Sequence, residues 1–170
     1  MKNIVIIGGT KGIGKSIVNE VVENHKVVCL SRNQTDFNHD NYTFHKFDAL
    51  VDDYPDLDSV DCLIYCPGSI NLKPISTLSL DDFRNDFELN VIGAVRAIKK
   101  YLNLLKKSES SSILLFSTVA TKLGMPYHAS VSVAKSGIDG LVKTLGSELA
   151  PKVRINAIAP TITNTELASK

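Results

Sequence analysis

The sequence predicts an α/β fold built on a parallel β-sheet, and three observations predict it. The first is the opening run Ile4-Val5-Ile6-Ile7, apolar and β-branched, which suits a strand buried on both faces, as the central strand of a parallel sheet must be. The second is the stretch after it: glycines stop the strand, and behind Gly14 the residues Ile17, Val18, Val21 and Val22 recur at helical spacing. The third is Lys26-Val27-Val28-Cys29-Leu30, a second apolar strand that closes a strand-helix-strand unit.

The turn between the first strand and its helix suits a phosphate. Amide N–H groups at a helix start lack intrahelical partners and lie at the positive end of the helix dipole, and glycines let a pyrophosphate approach the backbone. Between a buried strand and an amphipathic helix, Gly8-Gly9-Thr10-Lys11-Gly12-Ile13-Gly14 reads as nucleotide-binding rather than as an ordinary turn. The spacing of Gly8, Gly12 and Gly14 resembles the Thr-Gly-x-x-x-Gly-x-Gly turn of the short-chain dehydrogenases/reductases, with Ile7 where that family usually has threonine. The resemblance implies that Gly8, Thr10, Lys11, Gly12, Ile13 and Gly14 contact the cofactor.

At 170 residues the chain is one domain's worth, 1–170, and long enough to bury roughly 70% of its unfolded surface. With 19 Lys+Arg against 18 Asp+Glu and a net charge of +1, no nucleic-acid or membrane footprint is expected, and a small-molecule substrate is. The first strand starts too early for a signal peptide, and no apolar run approaches the roughly 20 residues of a membrane span, so a cytoplasmic protein is expected. Cys29, Cys62 and Cys66 lie in or beside buried strands and read as reduced core thiols; Cys62-x-x-x-Cys66 lacks further Cys or His at ligand spacing, so no metal site is expected. His25 and His39 read as solvent-facing, and His45 as lying on a strand's polar side.

The second strand ends at Ser31-Arg32-Asn33, the place that faces the adenosine ribose in units of this kind. An acid there would hold the ribose hydroxyls of NAD. Here the acid is missing, and Arg32 with Lys11 favours the extra phosphate of NADP(H) over NAD(H), because guanidinium pairs with phosphate through two hydrogen bonds. The polar stretch 33–41 is too short for a crossover helix before Tyr42-Thr43-Phe44-His45-Lys46-Phe47, the third strand. Asp48-Ala49 comes next; in the resembled family an acid here accepts from the adenine amino group, and a strand-end cap is the alternative. Residues 60–65 read as the fourth strand, ending in Cys66-Pro67-Gly68, where the family often has Asn-Asn-Ala-Gly; Gly68 keeps the close approach that the cofactor ribose requires.

Ser79, followed by Leu80-Asp81-Asp82-Phe83, caps a long helix expected to reach Lys106-Lys107, with the apolar face Phe83, Phe87, Val91, Ala94, Ile98, Leu102 and Leu105. Asn90 interrupts that face. Asn90-Val91-Ile92-Gly93 resembles the family's Asn-x-x-Gly, whose asparagine sits at a helix kink and holds a water in a proton relay. Residues 112–118 read as a fifth strand with hydroxyls at its carboxyl end, the end that lines the ligand crevice in open α/β sheets. Then come a loop, 119–128, a second long helix through Ala150 and a sixth strand, 153–159. Pro160-Thr161-Ile162-Thr163-Asn164-Thr165 resembles the family's Pro-Gly-x-x-x-Thr with Thr161 for glycine, which implies cofactor contacts from Pro160, Thr161, Thr163 and Thr165, the last to the nicotinamide carboxamide.

Reduction of a carbonyl by a nicotinamide needs a hydride donor against the carbon and an acid at the developing alkoxide. The resembled family supplies the acid as a tyrosine, with a lysine four residues on, a serine on strand 5 and the asparagine. Here the lysine is Lys135, the serine position holds Thr118 behind Ser117, and the tyrosine position holds Val131. Threonine keeps a hydroxyl; valine leaves no proton donor. Lys135 can still bond the nicotinamide ribose. Tyr127, one turn earlier if the helix extends backward, and His128, whose imidazole can serve as an acid directly, are the candidate replacement acids.

Together these features predict a Rossmann-like doubly wound sheet in three α/β/α layers, with strand order 3-2-1-4-5-6. The expected function is NADP(H)-dependent hydride transfer to or from a small carbonyl or enoyl substrate; the alternative is a catalytically inactive dinucleotide-binding protein with a sensing or assembly role. The helices bearing Asn90 and Lys135 resemble the family's dimer surfaces, implying a homodimer or homotetramer. The family usually continues beyond this point with a substrate-covering segment and a seventh strand, so the edge at strand 6 is expected to be covered by further residues or a partner chain.

Overall fold

The computed structural model describes residues 1–166. Its strands are β1 (Asn3–Ile7), β2 (Lys26–Ser31), β3 (Tyr42–Lys46), β4 (Cys62–Tyr65), β5 (Ser111–Phe116) and β6 (Val153–Ile158). They form one parallel sheet in the order β3-β2-β1-β4-β5-β6, as expected. Ile6 of β1 lies between Cys29 of β2 and Ile64 of β4, so the first strand is central. The chain runs outward from β1 to β2 and β3 and then crosses back to β4 on the other side of β1, and this reversal opens a crevice at the carboxyl ends of β1 and β4.

The helices are α1 (Gly12–Val21), α2 (Leu80–Phe87), α3 (Gly93–Lys107), α4 (Ala120–Leu123) and α5 (Ala129–Leu149). Alternation along β1 assigns the layers. Ile4 and Ile6 pack with Val18 of α1 and Val22 at its end, whereas Val5 and Ile7 pack into the larger core with Ala94, Ile98 and Tyr101 of α3 and Ile138 of α5. Each such buried aliphatic contributes roughly 1.5–3 kcal/mol, so β1 alone fastens both helical layers to the sheet. No helix among the described residues is long and apolar enough to cross a membrane.

Three elements differ from expectation. The helix capped at Ser79 is not continuous: a π-helical turn, Glu88–Ile92, joins α2 to α3. Its extra residue re-phases the apolar stripe, so Asp86 is buried before the turn while Phe87 is 39% exposed, and after it Ala97 and Tyr101 join Ala94, Ile98 and Leu105 inside. The start of that helix is as expected, with Ser79 Oγ accepting from the Asp82 amide at 3.1 Å and Asp82 Oδ2 accepting from the Ser79 amide at 2.9 Å. Within 119–128 lies the short helix α4, whose start is held by Thr118: its Oγ1 accepts from the Ala120 amide. Finally, α5 begins at Ala129 and does not extend back to Tyr127, whose φ of 66° is incompatible with a right-handed helix.

Candidate active site

The glycine turn is shaped by contacts that only glycines permit. Gly8, at φ 77°, lies where a Cβ would stand 3.2 Å from Pro67, and a Cβ on Gly14 would collide with the Gly8 carbonyl oxygen. The strand thus turns directly into α1, whose first amides face a cleft of about 720 Å³ at the carboxyl ends of β1, β2 and β4. The cleft is lined by Gly8, Thr10, Lys11, Gly12, Ile13 and Gly14, by Ser31 and Arg32 at the end of β2, by Asp48 and Ala49 after β3, and by Gly68 after β4. Thr165 reaches it as well, its methyl group next to Gly12. Pro160, Thr161 and Thr163 are not in its walls; the Pro160 carbonyl instead accepts from the Val119 amide, and Thr163 Oγ1 donates to the Thr161 carbonyl.

At the β2 end, Thr10 Oγ1 and Ser31 Oγ are hydrogen-bonded at 2.9 Å, tying the glycine turn to the second strand. Lys11 and Arg32 do not act alike. Lys11 Nζ pairs with Glu166 at 3.0 Å, whereas Arg32 is an exposed guanidinium on the cleft wall. Asp48 serves as a cap, its Oδ1 accepting from the Leu50 amide at 2.9 Å, and it also faces the cleft. Arg96 of α3 secures this wall from behind by donating to the carbonyls of Ala49 and Asp52.

At the other end, polar groups converge on Gly68, where a Cβ would stand 3.4 Å from Asn90 Oδ1 and 3.5 Å from Lys135 Nζ. Asn90 is held there by the π turn: its Nδ2 donates to the Asp86 carbonyl at 2.8 Å and to Ser69 Oγ at 3.0 Å, while its Oδ1 is buried without a partner. Lys135, 9% exposed, donates to the Phe116 carbonyl at 2.7 Å. Burial pushes its amine down to about 8, with Cys66 and Asp86 pulling the other way. Desolvation pushes the Cys66 thiol up to about 12, so it is no thiolate nucleophile near neutrality.

Val131 is buried, 6% exposed, one turn before Lys135 on α5. Thr118 Oγ1 already accepts from an amide, which leaves its O–H available to donate, and Ser117 Oγ is buried without a partner. Tyr127 is 60% exposed, and its carbonyl accepts from the Lys73 amide. His128 stands at the start of α5 with Nδ1 at 2.7 Å from the Pro126 carbonyl oxygen. The structure therefore joins Gly68, Asn90 and Lys135 in one cluster and leaves Tyr127 on a surface loop. Two members of the cluster, Asp86 and Ser69, are not singled out by the sequence. An acid one turn before Asn90, on the side of α2 that turns inward, is the available signal.

A model of the family described as short chain dehydrogenase matches residues 2–170. The chain belongs to the short chain dehydrogenase family. Within it, the chain is similar to a 3alpha-hydroxysteroid dehydrogenase of Mediterraneibacter gnavus, at 25% identity over 99% of this chain and 76% of the relative. It is also similar to a peroxisomal 2,4-dienoyl-CoA reductase of Saccharomyces cerevisiae, at 40% identity over 54% of this chain and 32% of that protein. The chain thus spans about three quarters of the first relative and a third of the second. Among solved structures, ElxO with NADP bound superposes with a TM-score of 0.86 at 26% identity, covering 99% of this chain and 77% of ElxO. The six-stranded sheet, its order and the glycine turn are therefore those of a short chain dehydrogenase.

Proposed function

We propose that this short chain dehydrogenase is a cytoplasmic NADP(H)-dependent oxidoreductase that moves hydride to or from a small carbonyl or enoyl substrate. The carrying observation is that a single cleft runs from Arg32, across the glycine turn, to Gly68, where Asn90 and Lys135 converge. A dinucleotide fits this geometry: the turn leaves no room for side chains at Gly8 and Gly14, and Asn90 Oδ1 is a buried acceptor with no protein donor. When bound, the nicotinamide supplies or accepts the hydride. The α1 amides and Gly8–Gly14 backbone cradle the pyrophosphate, Arg32 pairs with the 2′-phosphate, and Asp48 takes the adenine edge. Lys135 donates to the nicotinamide ribose and Thr118 O–H orients the substrate oxygen.

Val131 bears on the substrate. Hydride addition to a conjugated enoyl system depends less on an acid beside a carbonyl oxygen, and the partial similarity to a dienoyl-CoA reductase supports that class. Buried Val131 also supports a second reading, a dinucleotide-binding protein without turnover. For assembly, a homodimer or homotetramer through the helices bearing Asn90 and Lys135 is the reading, and a monomer by light scattering would remove it.

The test of the cofactor site is a fluorescence titration with NADPH and NADH. Saturable binding that prefers NADPH and weakens about tenfold in Arg32→Ala, with NADH little changed, supports the reading. Binding of neither dinucleotide overturns it.

A further inference from the structure

Hydride transfer by the residues named above makes no use of Asp86 or Ser69, yet both are built into the cluster. Asp86 is 3% exposed on α2, and its Oδ1 accepts the Ser69 hydroxyl at 2.5 Å. A serine has one O–H; with that proton committed to Asp86, Ser69 Oγ can only accept, and it does so from Asn90 Nδ2 at 3.0 Å. The second Nδ2 hydrogen goes to the Asp86 carbonyl. Both amide hydrogens of Asn90 are thereby used, and a flipped carboxamide would set its oxygen against a carbonyl oxygen and a hydroxyl whose proton is already given away. Oδ1 must then face Gly68, at the spot that Lys135 Nζ also approaches.

We propose that Asp86 is a positioning residue that, through Ser69, locks the Asn90 carboxamide with Oδ1 turned into the Gly68 end of the cleft, where Lys135 Nζ also stands and its titration reports which way the carboxamide faces. Its value to catalysis rests on the oxidoreductase reading, but the lock itself does not. The groups that face Lys135 are few among the described residues. The Cys66 thiol from the end of β4 and the Asp86 carboxyl from α2 favour its charged form, and the Phe116 carbonyl of β5 accepts from it. On its own helix, Asp139 is engaged elsewhere, by Thr121 at 3.0 Å and by Lys122.

The experiment follows lysine Cε resonances by NMR in the whole, ligand-free chain labelled with 13C-lysine, from pH 6 to 10, with Lys135→Arg identifying the Lys135 signal. The wild-type midpoint is expected at about 8. Ser69→Ala keeps the Asp86 carboxyl but breaks the string, and is expected to lower the midpoint by about one pH unit, while Ser69→Thr, which retains the hydroxyl, keeps it in place. Asp86→Asn, which removes the carboxyl that favours the charged lysine, is expected to lower it at least as far. A Ser69→Ala midpoint equal to wild type overturns the proposal. Ser69 is half-buried in a loop, so its variants remain informative if Asp86→Asn does not fold. NADPH titration of the same wild-type sample separates the two readings: absence of binding removes the oxidoreductase, whereas the lysine midpoint decides the lock by itself.

Discussion

Gly14 lies so close to the carbonyl of Gly8 that a Cβ on Gly14 would overlap the oxygen. No rotamer change relieves that contact, because both partners are backbone. Gly14→Ala should therefore force the turn open, lowering stability by roughly 2–3 kcal/mol and abolishing dinucleotide binding. Gly140, inside α5 with nothing within 4 Å of its would-be Cβ, is the control: Gly140→Ala should raise stability by up to about 1 kcal/mol. Urea melts of the two variants check the pair, and equal destabilisation by both would count against the packing argument.

Lys135 is a buried cation, and the linkage between its titration and folding has a definite sign. Its folded midpoint of about 8 lies below the ordinary 10.5, so the folded chain binds fewer protons than the unfolded chain between those values. Burying the charge opposes folding fully below pH 8, and that opposition fades as pH rises toward 10.5. Lys135→Met, which removes the charge and loses the bond to the Phe116 carbonyl, should gain roughly 1–2 kcal/mol at pH 7 and progressively less at pH 9 and above. Denaturant melts across that range test it. A pH-independent difference would show that the lysine is not held as described.

Two side chains donate to backbone carbonyls around the π turn. Asn90 Nδ2 bonds the Asp86 carbonyl, and Tyr65 Oη, itself buried, donates to the Leu89 carbonyl at 2.7 Å. Tyr65→Phe should cost about 1–2 kcal/mol by removing that bond. Gly93→Ala should cost more, because its Cβ would collide with Tyr65 Oη. Thermal melts rank the two, and a neutral Tyr65→Phe would mean that the turn does not depend on the phenol.

These contacts also mark where the sequence stops being legible. The strands are legible because buried parallel strands are short apolar runs, and the glycine turn because Gly8, Gly12 and Gly14 have a spacing of their own. The π turn is not legible in the hydrophobic pattern, since one extra residue between Phe87 and Gly93 leaves the spacing intact on either side and changes only the phase between them; only the resemblance of Asn90-Val91-Ile92-Gly93 to a motif at a helix kink marks its place. The bond from Ser69 to Asp86 spans 17 positions and the Lys11–Glu166 pair spans 155, so neither has a local pattern. No propensity forbids Tyr127 from continuing a helix; the fold instead gives it a left-handed backbone.

Val131 decides between an enzyme with rerouted chemistry and a chain that binds a dinucleotide without using it. It lies four residues before Lys135, so a tyrosine there would stand on the same face of α5 as the amine. Val131→Tyr should leave NADPH affinity within about twofold while adding a phenol whose acid catalysis is worth roughly 100- to 10,000-fold. Loss of NADPH absorbance with carbonyl and enoyl substrates reads the result. A silent parent that gains carbonyl reduction would identify the wild-type chain as a binding protein. A parent already active on enoyl substrates, with no gain there from the phenol, would identify an enzyme whose reaction does not need that acid.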